Sequence, residues 1–199
     1  MKLVFASNNA HKLSEVRQIM PESVEVLSLN DVGFQHEIDE TGSTLEENSE
    51  IKASTVAAFI NDRLMNGDAS LNDVEGVFAD DTGLEIDALD GKPGVYTARW
   101  AGEPAANRKK ALAELAGQEN RGAQFRTVIT MIKANGERMS VSGVVRGRIA
   151  EEEYGVGGFG YDPVFIPEGY DKTFGELPAE IKNSISHRAR ALHALAKLL

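Results

Sequence analysis

The stretch Gln124-Phe125-Arg126-Thr127-Val128-Ile129-Thr130-Met131-Ile132-Lys133-Ala134-Asn135-Gly136-Glu137-Arg138-Met139-Ser140-Val141-Ser142-Gly143-Val144-Val145-Arg146-Gly147-Arg148-Ile149 reads as two long strands joined by a tight turn. Asn135-Gly136 is a strong hairpin signal, because both residues accept the positive φ that a two-residue hairpin turn demands. The first strand is expected over about Gln124–Ala134 and the second over Arg138–Ile149, where Val141, Gly143, Val145, Gly147 and Ile149 alternate. Antiparallel strands this long exclude an all-parallel sheet. The fold class then depends on what precedes them.

Upstream, strands alternate with helices. Lys2–Ala6 predicts a strand and His11–Met20 a helix, with Leu13, Val16 and Met20 on one face. Val24–Leu29 predicts another strand. Ser43-x-x-Glu46 reads as a capping box opening a helix to about Met65. Gly76–Ala79 and Leu84–Ala88 read as short strands around a turn, Asp80-Asp81-Thr82-Gly83. Pro93-Gly94 marks a further turn, and Pro104 suits the first position of a helix to about Ala116, stopped by Gly117. Downstream lie a glycine-rich loop at Gly155–Gly160, a strand near Pro163–Ile166 and a helical end from about Pro178. Early strands, intervening helices and a late hairpin predict a mixed sheet in an α/β fold.

Composition bounds the function. The chain has 199 residues and a formal charge of −10, from 21 Lys+Arg against 31 Asp+Glu. By area scaling roughly 70% of the chain's surface can be buried on folding, so no staples are needed. There is no cysteine, which excludes disulfides, thiolate metal sites and Cys nucleophiles. No signal peptide or membrane-spanning run is evident, so the cytoplasm is the expected location. Net acidity disfavours binding to nucleic acid or anionic membranes. The charge is divided, however. His36–Glu50 holds six acids and no Lys or Arg, whereas Lys182 to the end holds four basic residues and no acid. Solvated faces explain such runs; a metal-binding side and an anion-binding side would explain them as well.

Four segments carry possible chemistry. Ser7-Asn8-Asn9-Ala10-His11-Lys12 follows a strand and opens a helix, where N–H groups and the helix dipole suit a phosphate. An ordinary helix cap with an exposed Lys is the plain alternative. Adjacent Asp80 and Asp81 repel unless a cation or donors compensate, and Mg²⁺ with substrate phosphates suits them; solvated acids in an Asx turn are the alternative. Gly157-Gly158-Phe159-Gly160-Tyr161-Asp162-Pro163 allows close backbone approach and could flank a flat ring, although taken alone it reads first as a glycine-rich turn with core aromatics. Lys182 and Ser186-His187-Arg188 accompany an apolar helical stripe of Ile181, Ile185, Ala189, Leu192, Leu195 and Leu199, and a single amphipathic helix with a basic outer face is the plain reading. On one continuous helix Lys182 and His187 would point about 140° apart, so a shared site requires a break near Asn183–Ser186, with Asn183 or Ser184 as cap.

Taken in order, these segments resemble the inosine triphosphate pyrophosphatase family. The landmarks are Ser7-Asn8-Asn9-x-x-Lys12, Glu40-Thr41-Gly42-x-Thr44, Glu47-Asn48-x-x-x-Lys52-Ala53, Ala79-Asp80-Asp81-Thr82-Gly83-Leu84, Pro93-Gly94-Val95-Tyr96-Thr97-Ala98-Arg99-Trp100, Gly158-Phe159-Gly160-Tyr161-Asp162-Pro163 and Ser186-His187-Arg188. The resemblance implies hydrolysis of dITP, ITP and XTP to monophosphate and pyrophosphate with Mg²⁺, which clears deaminated purines from the nucleotide pool. It implies an elongated α/β fold with a central mixed sheet, flanking helices, two lobes around a substrate cleft, a single domain over 1–199, and a homodimer. Carried over, Ser7 to Lys12 would hold phosphates, and Asp81 would be catalytic and a metal ligand. Asp39 or Glu40 would add the second metal carboxylate. Thr82, Phe159, Gly160, Tyr161, Asp162, Lys182, His187 and Arg188 would contact the nucleotide. A nearby cation would lower the Asp81 pKa. Thr82 stands where Ser is usual and Ser49 where Ala is common. A non-catalytic nucleotide-binding module is the alternative from another class, and it would not need the acidic pair. A related pyrophosphatase of modified pyrimidine nucleotides is a third, against which the Gly-Phe-Gly-Tyr-Asp and Ser-His-Arg signatures speak.

Overall fold

The computed structural model describes residues 1–199. Its strands are β1 (Lys2–Phe5), β2 (Glu25–Leu27), β3 (Val74–Ile86), β4 (Pro93–Gly94), β5 (Gly122–Lys133), β6 (Arg138–Ile149) and β7 (Phe165–Pro167). Its helices are α1 (Ala10–Ile19), α2 (Leu45–Met65), α3 (Pro104–Glu114), α4 (Ala179–Ile185) and α5 (His187–Ala196). The strands form one sheet in the order β2-β1-β3-β5-β6-β7, with β4 pairing β3. β1 is parallel to β2 and β3, while β3–β4 and β6–β7 are antiparallel. The sheet is therefore mixed and the fold α/β. Gly136 sits at φ +86° in the β5–β6 turn, where a side chain would be strained. No helix is long and apolar enough to cross a membrane.

The chain divides into two compact units. The first comprises Met1–Asp81, Val128–Ser142 and Ala191–Leu199. Apolar residues on both faces of its strands build two cores. Val77 and Ala79 pack with Ala53, Val56 and Ile60 of α2. Phe5 and Phe78 stack at 5.1 Å and pack with Val16 of α1 and Leu192 and Leu195 of α5. The second comprises Thr82–Thr127 and Gly143–Arg190. Its core joins Leu84, Ile86, Phe125, Ile149, Tyr161, Phe165 and Phe174.

Three expectations are corrected. Asp80-Asp81-Thr82-Gly83 is not a turn: β3 runs unbroken through it, and no residue from 80 to 83 has positive φ. Polar residues suggested a turn, but their side chains find partners on the two faces of the strand. The cap of α2 is Thr44, not Ser43: Thr44 Oγ1 accepts from Glu47 N at 3.1 Å, and Glu47 Oε2 accepts from Ser43 N and Oγ at 2.6 and 2.7 Å. Both frames fit the capping pattern, and burial of Leu45 as the first helical residue selects the later one. The C-terminal helix is broken, in the region the sequence marked, but at Ser186, which leaves helical geometry at φ −65°, ψ 160°. Its Oγ accepts from Ala189 N at 3.2 Å, so Ser186 caps α5 in place of Asn183 or Ser184.

Candidate active site

In a strand, successive side chains point to opposite faces. That rule separates Asp80 from Asp81. Asp80 lies on the Phe78 face, where Lys12 Nζ stands 2.9 Å from its Oδ1. Asp81 lies on the Ala79 face, toward α2. There Lys52 Nζ stands 3.3 Å from Asp81 Oδ1 and 3.1 Å from Glu40 Oε2. Asn48 Nδ2 donates to Asp81 Oδ2 at 3.3 Å. The adjacent carboxylates thus do not face each other, and each has its own lysine.

Asp81 is 9% exposed and Lys52 is 7% exposed. Burial pushes the Asp81 carboxyl above its ordinary value; Lys52 and Lys12 pull it down, while Glu40 and Asp80 add to the rise. The two nearby ammonium groups act in the lowering direction expected of a cation, but desolvation outweighs them. Burial alone would lower Lys52, but Asp81, Asp80 and Glu40 together hold it above the ordinary lysine value. Of the two candidates for a second carboxylate, Glu40 reaches Lys52 beside Asp81, whereas Asp39 is exposed. No group of three or more His, Asp or Glu side chains is placed to hold an ion by itself. The Asp81 and Glu40 carboxylates at one lysine are the oxygen donors available here to a hard divalent cation, which would complete its shell with water and phosphate.

The Ser7–Lys12 segment is the start of α1. Asn9 is the N-cap: its Oδ1 accepts from Lys12 N at 3.1 Å, and Ser7 Oγ accepts from Asn9 N at 3.2 Å. Asn8, Asn9, Ala10 and His11 are exposed, and Lys12 reaches the Asp80 carboxylate.

The second unit gathers another group. Lys182 Nζ stands 2.6 Å from Asp162 Oδ2, which also accepts from Phe159 N at 2.7 Å. Lys182 Nζ lies 4.8 Å from the centre of the Phe159 ring, and the Arg188 guanidinium carbon lies 5.6 Å from it. The break at Ser186 permits this, since α4 supplies Lys182 and α5 supplies Arg188. Arg188 is 1% exposed and donates to Thr82 Oγ1 at 3.5 Å; that oxygen is also 2.7 Å from Thr127 Oγ1. His187 stacks on Phe125, ring centres 4.6 Å apart. Tyr161 turns inward: its hydroxyl donates to Thr97 O at 2.9 Å, and burial pushes its pKa up. Gly160 O accepts from Arg108 at 2.9 Å, which ties the glycine-rich loop to α3.

The model of the Ham1 family matches residues 3–198. The chain belongs to that family. Among its members, the protein named dITP/XTP pyrophosphatase from Flavobacterium johnsoniae is 46% identical over 202 residues, covering 100% of this chain and 98% of its own. The protein of the same name from Bacillus subtilis is 46% identical, covering 98% and 96%. The solved structure of the Staphylococcus aureus Ham1 protein superimposes with a TM-score of 0.83 at 38% identity, covering 100% of this chain and 97% of that one.

In this member of the Ham1 family, sequence reading named most residues of both groups but gave no role to Lys52, Asn48 or Arg108. Asn48 and Lys52 stand four apart on α2, so they share one face. That spacing was a usable signal. Arg108 had none, because its partners, the Glu153 carboxylate and the Gly160 carbonyl, lie far along the chain.

Proposed function

We propose that this protein hydrolyses the non-standard purine nucleoside triphosphates dITP, ITP and XTP to monophosphate and pyrophosphate, removing deaminated purines from the precursor pool. The observation that carries the reading is Asp81, buried on a strand and held by Lys52, Asn48 and the Glu40–Lys52 pair. A binding module would have no use for a buried carboxylate beside a second one. The family relatives named dITP/XTP pyrophosphatase support the substrate class.

Cleavage between the α and β phosphates needs positioning and charge neutralisation more than covalent chemistry. In this reading Asp81 orients the attacking water, whose oxygen bonds the α phosphorus as the bond to the pyrophosphate leaving group breaks. Lys52 and Lys12 offset phosphate charge, and Ser7 to His11 supply donors at the start of α1. Asp81 and Glu40, with Asp39 the less placed alternative, would hold Mg²⁺, which when bound would neutralise phosphate oxygens. Phe159 would stack on the base, with Lys182, His187, Arg188, Asp162 and Thr82 around it and Gly160 and Tyr161 shaping the loop. Hypoxanthine and xanthine present an oxygen at C6, and adenine an amino group. Cationic donors such as Lys182 and Arg188 favour the oxygen and gain no hydrogen bond from the amino group of adenine. We place the enzyme in the cytoplasm, acting on free nucleotides as a homodimer.

The test is pyrophosphate release from ITP, XTP, GTP and ATP, with Mg²⁺ and then with EDTA. Release from ITP and XTP far above GTP and ATP, abolished by EDTA, is the expected result. No release from any of them would overturn the reading.

A further inference from the structure

Asn48 is fully buried, and its side-chain amide is used at both ends. Gly42 N donates to its Oδ1 at 2.8 Å. A backbone N–H can only donate, so the oxygen must face Gly42 and the NH₂ must face Asp81, where Nδ2 donates to Oδ2 at 3.3 Å. One side chain therefore joins two segments: the loop carrying Glu40, two residues before Gly42, and the strand carrying Asp81. Gly42 has no room for a side chain, since a Cβ there would lie 2.7 Å from both Asn48 Oδ1 and Glu47 Cβ. The Ser49 hydroxyl, 2.7 Å from Thr130 Oγ1 and fully buried, ties the same turn of α2 to β5.

Resting on the reading above, in which Glu40 and Asp81 hold the metal, we propose that Asn48 is a positioning residue that sets the spacing of those two carboxylates. Lys52 supplies charge between them but is a flexible stem. The planar amide, with one donor end and one acceptor end used, supplies direction. Partners of this kind behind metal ligands commonly tune affinity and activity.

The experiment uses the full chain as wild type, Asn48→Ala and Gly42→Ala, with circular dichroism as the check on folding. Mn²⁺ binding is read by electron paramagnetic resonance without nucleotide, and kcat and KM for ITP at saturating Mg²⁺. Both variants are expected to bind Mn²⁺ about tenfold more weakly and to lose about 10- to 100-fold in kcat, with KM moving less than about threefold. A folded Asn48→Ala with wild-type Mn²⁺ affinity overturns the proposal, as does a raised KM at unchanged kcat, which would make Asn48 a substrate contact. Where Asn48→Ala does not fold, Gly42→Ala decides by the same readings, because it leaves the amide and both carboxylates in place. If the wild type releases no pyrophosphate, the activity assignment fails, yet the Mn²⁺ comparison still decides the role of Asn48.

Discussion

At the scale of single residues, the chain spends buried charge where chemistry is proposed. Asp81, Lys52, Asp162, Lys182 and Arg188 are all 9% exposed or less. Buried ions are costly unless paired and hydrogen-bonded, and Asp81 pairs with Lys52 and Asp162 with Lys182 within 3.3 Å. Asp81→Asn keeps the size and the Lys52 contact but removes the charge. It is expected to fold and to lose about 10²–10⁴-fold in turnover, measured as pyrophosphate release. A different carboxylate reports on stability. Asp31 is held below its ordinary pKa by the Ser28 backbone N–H and hydroxyl, with Arg17 adding to this against burial. Its folded pKa lies below the unfolded one, so its stabilisation is complete above the unfolded value and disappears as pH falls through the folded one. Asp31→Asn is expected to unfold at lower urea than wild type at pH 7. The two midpoints should converge as pH drops below about 4.

At the scale of elements, ends matter as much as interiors. α2 carries Asn48 and Lys52, so its starting frame fixes which face they share. Thr44 sets that frame from an exposed position. Thr44→Ala is expected to cost about 1 kcal/mol in urea unfolding without changing the slope of the transition. The break between α4 and α5 matters for a different reason. A continuous helix would point Lys182 and the His187–Arg188 pair apart. Ser186, extended and acting as cap, lets Lys182 and Arg188 both lie over Phe159.

At the scale of the whole molecule, β3, β5, β6 and α5 each contribute residues to both compact units. Such continuity is expected to make unfolding one cooperative event, in keeping with a single domain over 1–199. Trp100, the only tryptophan, lies in the second unit, so its fluorescence reports there while far-UV circular dichroism reports on all elements. Coincident urea transitions by the two probes are expected; separated midpoints would show two independent domains.

The sequence by itself determined the α/β class, because alternating strands and helices followed by an Asn-Gly hairpin leave few other arrangements. It also determined the identity of most residues now proposed for the site, because their order and spacing are specific even though each motif is weak. Lys12 and Asp80, 68 residues apart in the chain, were both legible as candidates, but not as a pair. Only the tertiary structure showed that Asp80-Asp81 lies within a strand, so that pleating sends the two carboxylates to different lysines. The polarity that suggested a turn is satisfied by partners from α1 and α2, which no local pattern reveals. Only the tertiary structure, likewise, raised the Asp81 pKa, since burial is a property of what packs around a residue, and gave the Asn48 amide its two ends. Local chemistry is written in residue types; direction, burial and pairing arise when distant segments meet.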